Sequence, residues 1–402
     1  MAGRGRMTRQ QHRIVVLGAG YTGMMGALGV ARRTRRLGGK VVLVNPSARF
    51  TERLRMHQIA TAQRMAEIDI PSLVEPAGIE FVQGWATRID RAGRVLHVDT
   101  AEGPLPVPYD TLVYATGSAA DTDPVPGAGL HAHTLNSPTE AARLAGWLAQ
   151  IGTGTVAVGG AGLTGLEAAT EIAESYPGIH VILLSRNEPA TAMGPRARAH
   201  VRRALDRLGV EVRTGVEITK VLPDGVELGD EIVPADAVLW TTGFRASPLA
   251  AEAGLTVDAT GRIVVDETLR AVSDPAIYAI GDAAAIHQAW GVIHGTCQSG
   301  IPTGAHAAAS IARRMRGREA KPFRFGYIHQ PVSLGRRDAV IQFTHADDTP
   351  RRWYLRGRAA VRYKETVTSS PRSTYRLARR VPLPAAALSS RGGRAARRPA
   401  AA

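Results

Sequence analysis

Ile14-Val15-Val16-Leu17-Gly18-Ala19-Gly20-Tyr21-Thr22-Gly23-Met24-Met25-Gly26 decides the fold. Its four leading apolar residues read as a buried strand, and Gly-x-Gly-x-x-Gly then opens an apolar helix running toward Arg36. Gly18 makes the tight turn, Gly20 lets a pyrophosphate approach the backbone, and Gly23 lets helix and strand pack closely. The phosphates of a dinucleotide would lie on the free N–H groups at the positive end of that helix. A second short strand, Lys40–Val44, ends at Asn45. A dinucleotide fold wants an acid here for the adenosine ribose; Asn45 can donate and accept but carries no charge.

The pattern recurs at Thr155-Val156-Ala157-Val158-Gly159-Gly160-Ala161-Gly162-Leu163-Thr164-Gly165-Leu166-Glu167, with an apolar helix to Ser175 and a strand at His180–Leu184. Two fingerprints in two βαβ units specify dinucleotide binding far better than one. The second unit ends in Ser185-Arg186 where an acid is expected. A small polar residue followed by Arg suits a 2′-phosphate, while an Arg at a strand end is also often only solvated, so NADH and NADPH both stay open.

Between and after these units lie short strands from Ile79 to Val98, with a hairpin signal at Asp90–Arg94 and a loop punctuated by Pro104 and Pro108. Tyr109–Ser118 is a buried strand running into the turn Thr116-Gly117. Ala237–Phe244 repeats it with Thr242-Gly243, and Ile277–Ala284 is a further buried strand ending in Gly281-Asp282. In Phe50–Gln58, Arg53 can face a pyrophosphate, and the other charges read as a solvated helix face.

The 402 residues suggest two or three domains, and the 44% apolar content suffices for a sizeable core. The net charge of +15 sits at the ends. Residues 1–13 carry +4 and 351–402 carry +13, which leaves the body at −2. That distribution argues against a nucleic-acid-binding body. The Arg-, Ser-, Pro- and Ala-rich tail reads as disordered, able at most to touch an anionic membrane surface. No apolar run approaches a membrane span and no signal peptide is evident, so the chain reads as cytoplasmic, at most peripheral on the inner face of the membrane. No metal site is read. The single cysteine, Cys297, excludes an intrachain disulfide.

The order of motifs resembles the two-dinucleotide-domain flavoproteins that act as pyridine-nucleotide-dependent reductases. The nearest likeness is to type II NADH dehydrogenases and their bacterial FAD-dependent relatives, over residues 12–366. The resemblance implies an α/β fold of two Rossmann-like domains with a small α+β C-terminal domain. The implied layout is a disordered N-terminus 1–12, an FAD domain in two parts (13–135 and 256–322), an NAD(P)H domain inserted at 136–255, a C-terminal domain 323–366 and a disordered tail 367–402. It implies that Gly18, Gly20 and Gly23 hold FAD, with Asn45 and Arg53 nearby, and that Gly281 and Asp282 complete the flavin site. Gly160, Gly162 and Gly165 would hold NADH or NADPH, with Ser185 and Arg186 at its ribose. Thr116-Gly117 and Thr242-Gly243 would be the crossings between domains. Glu167 resembles the family glutamate near the nicotinamide–flavin contact, and Gln298 the first glutamine of a quinone-pocket segment whose second glutamine is replaced by Pro302.

Disulfide and sulfide:quinone reductases need paired cysteines, which this chain lacks. The implied activity is therefore hydride transfer from NAD(P)H to FAD and electron delivery to a quinone-like acceptor. The alternatives are a soluble or iron–sulfur acceptor and a redox sensor without turnover. A homodimer is compatible with the family.

Overall fold

The protein is described by a computed structural model over residues 11–381. β1 (His12–Leu17), α1 (Tyr21–Thr34) and β2 (Gly39–Asn45) form the first βαβ unit. A 3-10 turn at Arg53–Arg55 leads into a single helical turn, α2 (Met56–Ile59). After β3 (Ile79–Gln83), the strands β4 (Trp85–Asp90), β5 (Val95–Thr100) and β6 (Gly103–Pro108) make an antiparallel ribbon, and β7 (Thr111–Tyr114) returns to the sheet. The second unit contains β8 (Ala132–His133), β9 (Gly154–Gly159), α3 (Leu163–Ser175), β10 (Ile179–Ser185), α4 (Pro195–Arg207), β11 (Glu211–Thr214) and β12 (Ala237–Trp240). The chain re-enters the first unit with β13 (Ile277–Ala279) and α5 (Cys297–Arg314). Three antiparallel strands, β14 (His329–Ser333), β15 (Ala339–Thr344) and β16 (Pro350–Arg356), and the helices α6 (Gly357–Thr368) and α7 (Pro371–Ala378) complete it.

Both large sheets are wholly parallel, in the orders β13-β7-β1-β2-β3 and β11-β10-β9-β12-β8. Parallel strands are covered on both faces, and Ile14, Val15 and Val16 accordingly have no exposed surface. The fold class read from the two fingerprints is the observed one: two doubly wound units, the second inserted into the first. The two connections between them run side by side, Ser118 paired with Ala246 and Ala119 with Arg245. Gly117 (φ +72°) and Gly243 (φ +66°) turn the chain into that crossing in the left-handed region that glycine enters freely.

α1 and α5 lie unusually close because their facing surfaces are glycine. A Cβ on Gly304 would stand 2.5 Å from the Thr22 carbonyl, and one on Gly29 would stand 2.9 Å from the Ala308 methyl. This contact fixes the fingerprint helix against the segment that follows Asp282.

Two stretches differ from the sequence reading. Residues 103–108, read as loop, form β6 at the edge of the ribbon, because prolines 104, 106 and 108 alternate along it and direct their missing N–H groups away from β5. Residues 367–381, read as the start of a disordered tail, are instead the end of α6, the helix α7 and a short exit. Pro371 sits in the first turn of α7, where proline is tolerated. Tyr375 anchors the helix, 1% exposed, edge-on to Phe50 at 5.5 Å between ring centroids, with its hydroxyl donating to the Tyr21 carbonyl at 3.3 Å. Arg32 on α1 donates to the carbonyls of Ala378 and, at 2.8 Å, Val381. The remaining tail and the first ten residues lie outside the described residues.

Tyr375→Ala removes a buried aromatic anchor worth about 3–5 kcal/mol. Limited trypsin digestion should then cut at Arg376, Arg379 and Arg380 at least about tenfold faster than in the wild type, a conservative share of that loss. An unchanged rate would show that Tyr375 does not hold α7.

Candidate active site

The first cradle is set by a backbone contact that only glycine allows. Gly18 turns at φ +100°, and a Cβ on Gly23 would lie 1.9 Å from the Gly18 carbonyl. At Gly20 the same construction meets no atom within 4 Å. Gly20 is also the N-cap of α1 and no side chain caps that helix, so its first N–H groups face open space. The Asn45 amide is committed to this turn. Its Oδ1 accepts from the Ala19 N–H at 2.9 Å and its Nδ2 donates to the Ser47 carbonyl at 2.7 Å. Asn45 thus braces the cradle from the end of β2, a role that an uncharged amide fills with both of its ends.

Across from the cradle, Asp282 follows Gly281 (φ +66°) and accepts from Ser118 Oγ at 3.2 Å. Burial raises the Asp282 carboxyl above its usual range, while Ser118, Arg53, Arg262 and His294 pull it down. Burial likewise lowers the Arg53 guanidinium, with Asp282 and Glu140 opposing that shift. An open glycine cradle near a carboxylate able to accept from sugar or ribityl hydroxyls fits a flavin dinucleotide.

The second cradle repeats the first. Gly160 turns at φ +105°, a Cβ on Gly165 would lie 1.8 Å from the Gly160 carbonyl, and Gly162 again meets nothing. Gly162 caps α3 without a side chain. Ser185 ends β10, its Oγ accepting from the Asn187 N–H at 3.3 Å, and Arg186 pairs with Glu217.

Glu167, on α3, does not face open solvent. It pairs with Lys364 of α6, accepts from the Ser333 N–H at 3.0 Å, and lies 3.6 Å from His57. Lys364 also donates to Ser333 Oγ at 2.7 Å. Glu167, Glu171 and Glu174 occupy one face of α3 at helical spacing, and Arg336 meets the other two. Its Nε donates to Glu171 at 2.9 Å and its backbone N–H donates to Glu174. Arg336 continues to Glu365 at 3.3 Å, which Arg55 joins at 2.8 Å.

Burial raises the Glu167 carboxyl, but Lys364, His57 and the Ser333 N–H outweigh it and the net shift is downward. Glu171, with no exposed surface, is raised by burial despite Arg336. His57 goes the other way. Burial and the cations Lys364, Arg336 and Arg55 prevail over Glu167 and lower it to about 3, so its ring is neutral and Nε2 accepts from Arg336 at 3.3 Å.

Arg53 and His57 are four residues apart on one short segment; Arg53 is electrostatically coupled to Asp282 of the first unit, and His57 lies 3.6 Å from Glu167 of the second. This segment, read from sequence as a solvated face, is largely internal, with Glu52, Met56, His57 and Gln58 buried. The Gly18 turn abuts the end of β7, a Cβ on Gly18 standing 2.4 Å from the Ala115 carbonyl and 3.2 Å from the Thr116 nitrogen, and Ser118, just beyond Gly117, reaches Asp282. Gln298 holds the C-terminal strands: its Nε2 donates to the His329 carbonyl at 2.8 Å and its Oε1 accepts from the Ile328 N–H at 2.7 Å. Cys297 is a half-buried thiol pushed up to about 11 by desolvation and by Asp282, unsuited to nucleophilic work at neutral pH. Lys364 and Arg336 went unread in the sequence. The available signal was the acidic stripe at 167, 171 and 174, together with Lys364 being one of only four lysines in an arginine-rich chain.

Residues 7–312 match the family model for pyridine nucleotide-disulphide oxidoreductases. An NADH dehydrogenase-like protein of Mycobacterium tuberculosis is 30% identical over 350 residues, 82% of this chain and 87% of that one. A type II NADH:quinone oxidoreductase of the same organism is 25% identical, over 83% of this chain and 80% of its own. The structure of NDH2 from Plasmodium falciparum in complex with NADH superposes with a TM-score of 0.77 at 14% identity, over 92% of this chain and 97% of that one.

Lys364→Met leaves Glu167 buried beside a neutral partner and should cost about 3–5 kcal/mol in urea unfolding. Adding Glu167→Gln should recover much of that loss; a fully additive double variant would refute the pairing. For His57, the unfolded chain takes a proton near the usual 6.5 that the folded chain refuses until about 3. Its contribution is therefore complete above pH 6.5 and declines as the pH falls through that window. His306, lowered by burial to about 4, adds to the same limb. The melting temperature of His57→Gln should fall less steeply from pH 6.5 to 4 than that of the wild type.

Proposed function

The chain belongs to the pyridine nucleotide-disulphide oxidoreductase family, and on that premise we propose that it is an FAD-dependent NADH dehydrogenase that delivers electrons to a quinone. The observation that carries this reading is the pair of open glycine cradles, one in each unit, with the Arg53–His57 segment in contact with Glu167 of one unit and coupled to Asp282 of the other. A hydride donor and its acceptor must be brought together, and orientation is the protein's main contribution to such a step. When bound, FAD supplies the two-electron centre between NADH and the acceptor.

The residues divide the remaining work. The N–H groups at Gly20 and Gly162 receive the two pyrophosphates, and Asp282 receives hydroxyls of the flavin chain. Glu167 sits on the fingerprint helix of the second cradle and, tied to Lys364, is held as a carboxylate that fixes the charge at that end of the site. The chain has one cysteine, and the route therefore needs no dithiol, unlike the reductases that give the family its name. The quinone is supported by the likeness to the type II NADH:quinone oxidoreductase of Mycobacterium tuberculosis, and Gln298 serves as a positioning residue that fixes β14 beside α5.

Among the described residues no helix is long and apolar enough to cross a membrane. The exposed face of α7 and its exit carries Arg376, Leu377, Arg380 and Val381, a basic and apolar mixture suited to weak contact with an anionic membrane surface from which a quinone is drawn.

The purified protein should show a flavin spectrum that NADH bleaches anaerobically and a short-chain quinone restores. Gly20→Ala should keep the fold, since its added methyl meets no protein atom, yet lose most of the bound flavin. Absence of flavin from the wild type, or bleaching that no quinone reverses, would overturn the reading.

A further inference from the structure

The second cradle lacks an acid at the end of β10, where Ser185 stands and Arg186 follows. We propose that Glu217 supplies the missing carboxylate from the neighbouring strand's exit loop and makes this site select NADH over NADPH. The inference rests on the second cradle being the nicotinamide dinucleotide site.

The backbone brings Glu217 there. β10 and β11 are parallel with Ser185 opposite Thr214, and the Val216 N–H donates to the Ser185 carbonyl at 3.2 Å. The chain leaving β11 turns at Gly215 (φ +73°) and folds across the end of β10, so that Glu217 comes to lie one residue beyond a direct bond to Ser185. Its carboxylate meets the Arg186 guanidinium.

The surrounding charges are paired off in the same way. Glu188 binds Arg202 and accepts from Thr214 Oγ1 at 3.4 Å, and the Ser185 hydroxyl is taken by the Asn187 N–H. Each of these two cations at the adenosine end thus already has a carboxylate. The Arg186–Glu217 pair is open to water, its side chains 72% and 60% exposed, so it contributes little to stability. Its effect falls on the ligand.

An unmodified ribose presents hydroxyl donors, and an ionised carboxylate keeps acceptor lone pairs beyond those one guanidinium uses. A 2′-phosphate instead carries close to two negative charges, as phosphate monoesters do. It would face Glu217 directly, and the arginine that would receive it is held by that same carboxylate. Discrimination therefore comes from a repulsive element as much as from an attractive one.

The test is calorimetric titration of the flavin-loaded protein with NAD+ and NADP+, alongside kcat/KM for NADH and NADPH. The wild type should bind NAD+ about tenfold or more tightly than NADP+, and Glu217→Gln should weaken NAD+ and tighten NADP+ enough to bring the ratio near one. Arg186→Gln should leave NADP+ weak, because the carboxylate remains. A wild type that prefers NADP+, or a Glu217→Gln ratio within about twofold of the wild type, overturns the proposal. Failure of both dinucleotides to bind a folded, flavin-loaded wild type would instead remove the underlying assignment of the second cradle.

Discussion

In both cradles a carbonyl oxygen occupies the place where an L-residue would put its Cβ: 1.9 Å separates Gly18 O from the position on Gly23, and 1.8 Å separates Gly160 O from that on Gly165. The strand, the turn and the first helical turn can be this compact only at glycine, and the compactness leaves the helix N–H groups pointing outward. Everything downstream is positioned from these two turns. α5 lies on α1 because Gly26, Gly29 and Gly304 remove the side chains that would separate them, and Asp282 is thereby held across from Gly20.

The same close packing creates an electrostatic problem that a third layer answers. α3 carries three glutamates toward the protein interior, and one face of a helix cannot bury three carboxylates without cations. Lys364 and Arg336 come from the C-terminal strands and helix, with Arg55 joining through Glu365. The C-terminal layer is thus tied electrostatically to the second unit. It is the counter-charge of the helix that opens the second cradle, and the neutral His57 marks how fully that charge is balanced.

Which parts of this could be read beforehand follows from range. The glycine turns and the buried parallel strands are encoded by neighbours within about thirty residues and stand as read, whereas the insertion of one unit in the other was legible only from the order of motifs along the whole chain. β6 was hidden because three prolines resemble a loop until their alternation is set against an edge strand. α7 was hidden because its stability comes from Tyr375 meeting Phe50 and Tyr21, more than three hundred residues earlier. The partners of Glu167 were hidden for the same reason: nothing local to residues 333, 336 or 364 names a glutamate on a distant helix. Asn45 shows the opposite limit. A missing acid was visible, but only the Ala19 and Ser47 bonds reveal what the amide does in its place.

The discontinuity of the first unit governs how the protein can be made. The sheet that holds Gly18–Gly23 is open along β7 until β13 arrives, and Asp282 and Tyr375 emerge later still. At roughly 5–20 residues per second, the nascent chain carries an unpaired, apolar parallel edge for on the order of tens of seconds. The inserted unit, with its five strands all within residues 132–240, can close on the ribosome in that interval. Its early folding holds the two halves of the flavin site near each other, because the crossing at Ser118 and Ala246 joins its entrance to its exit. The inserted domain is in this sense a scaffold for its host's assembly. Flavin can enter only a chain that has been synthesised past Asp282 and α5.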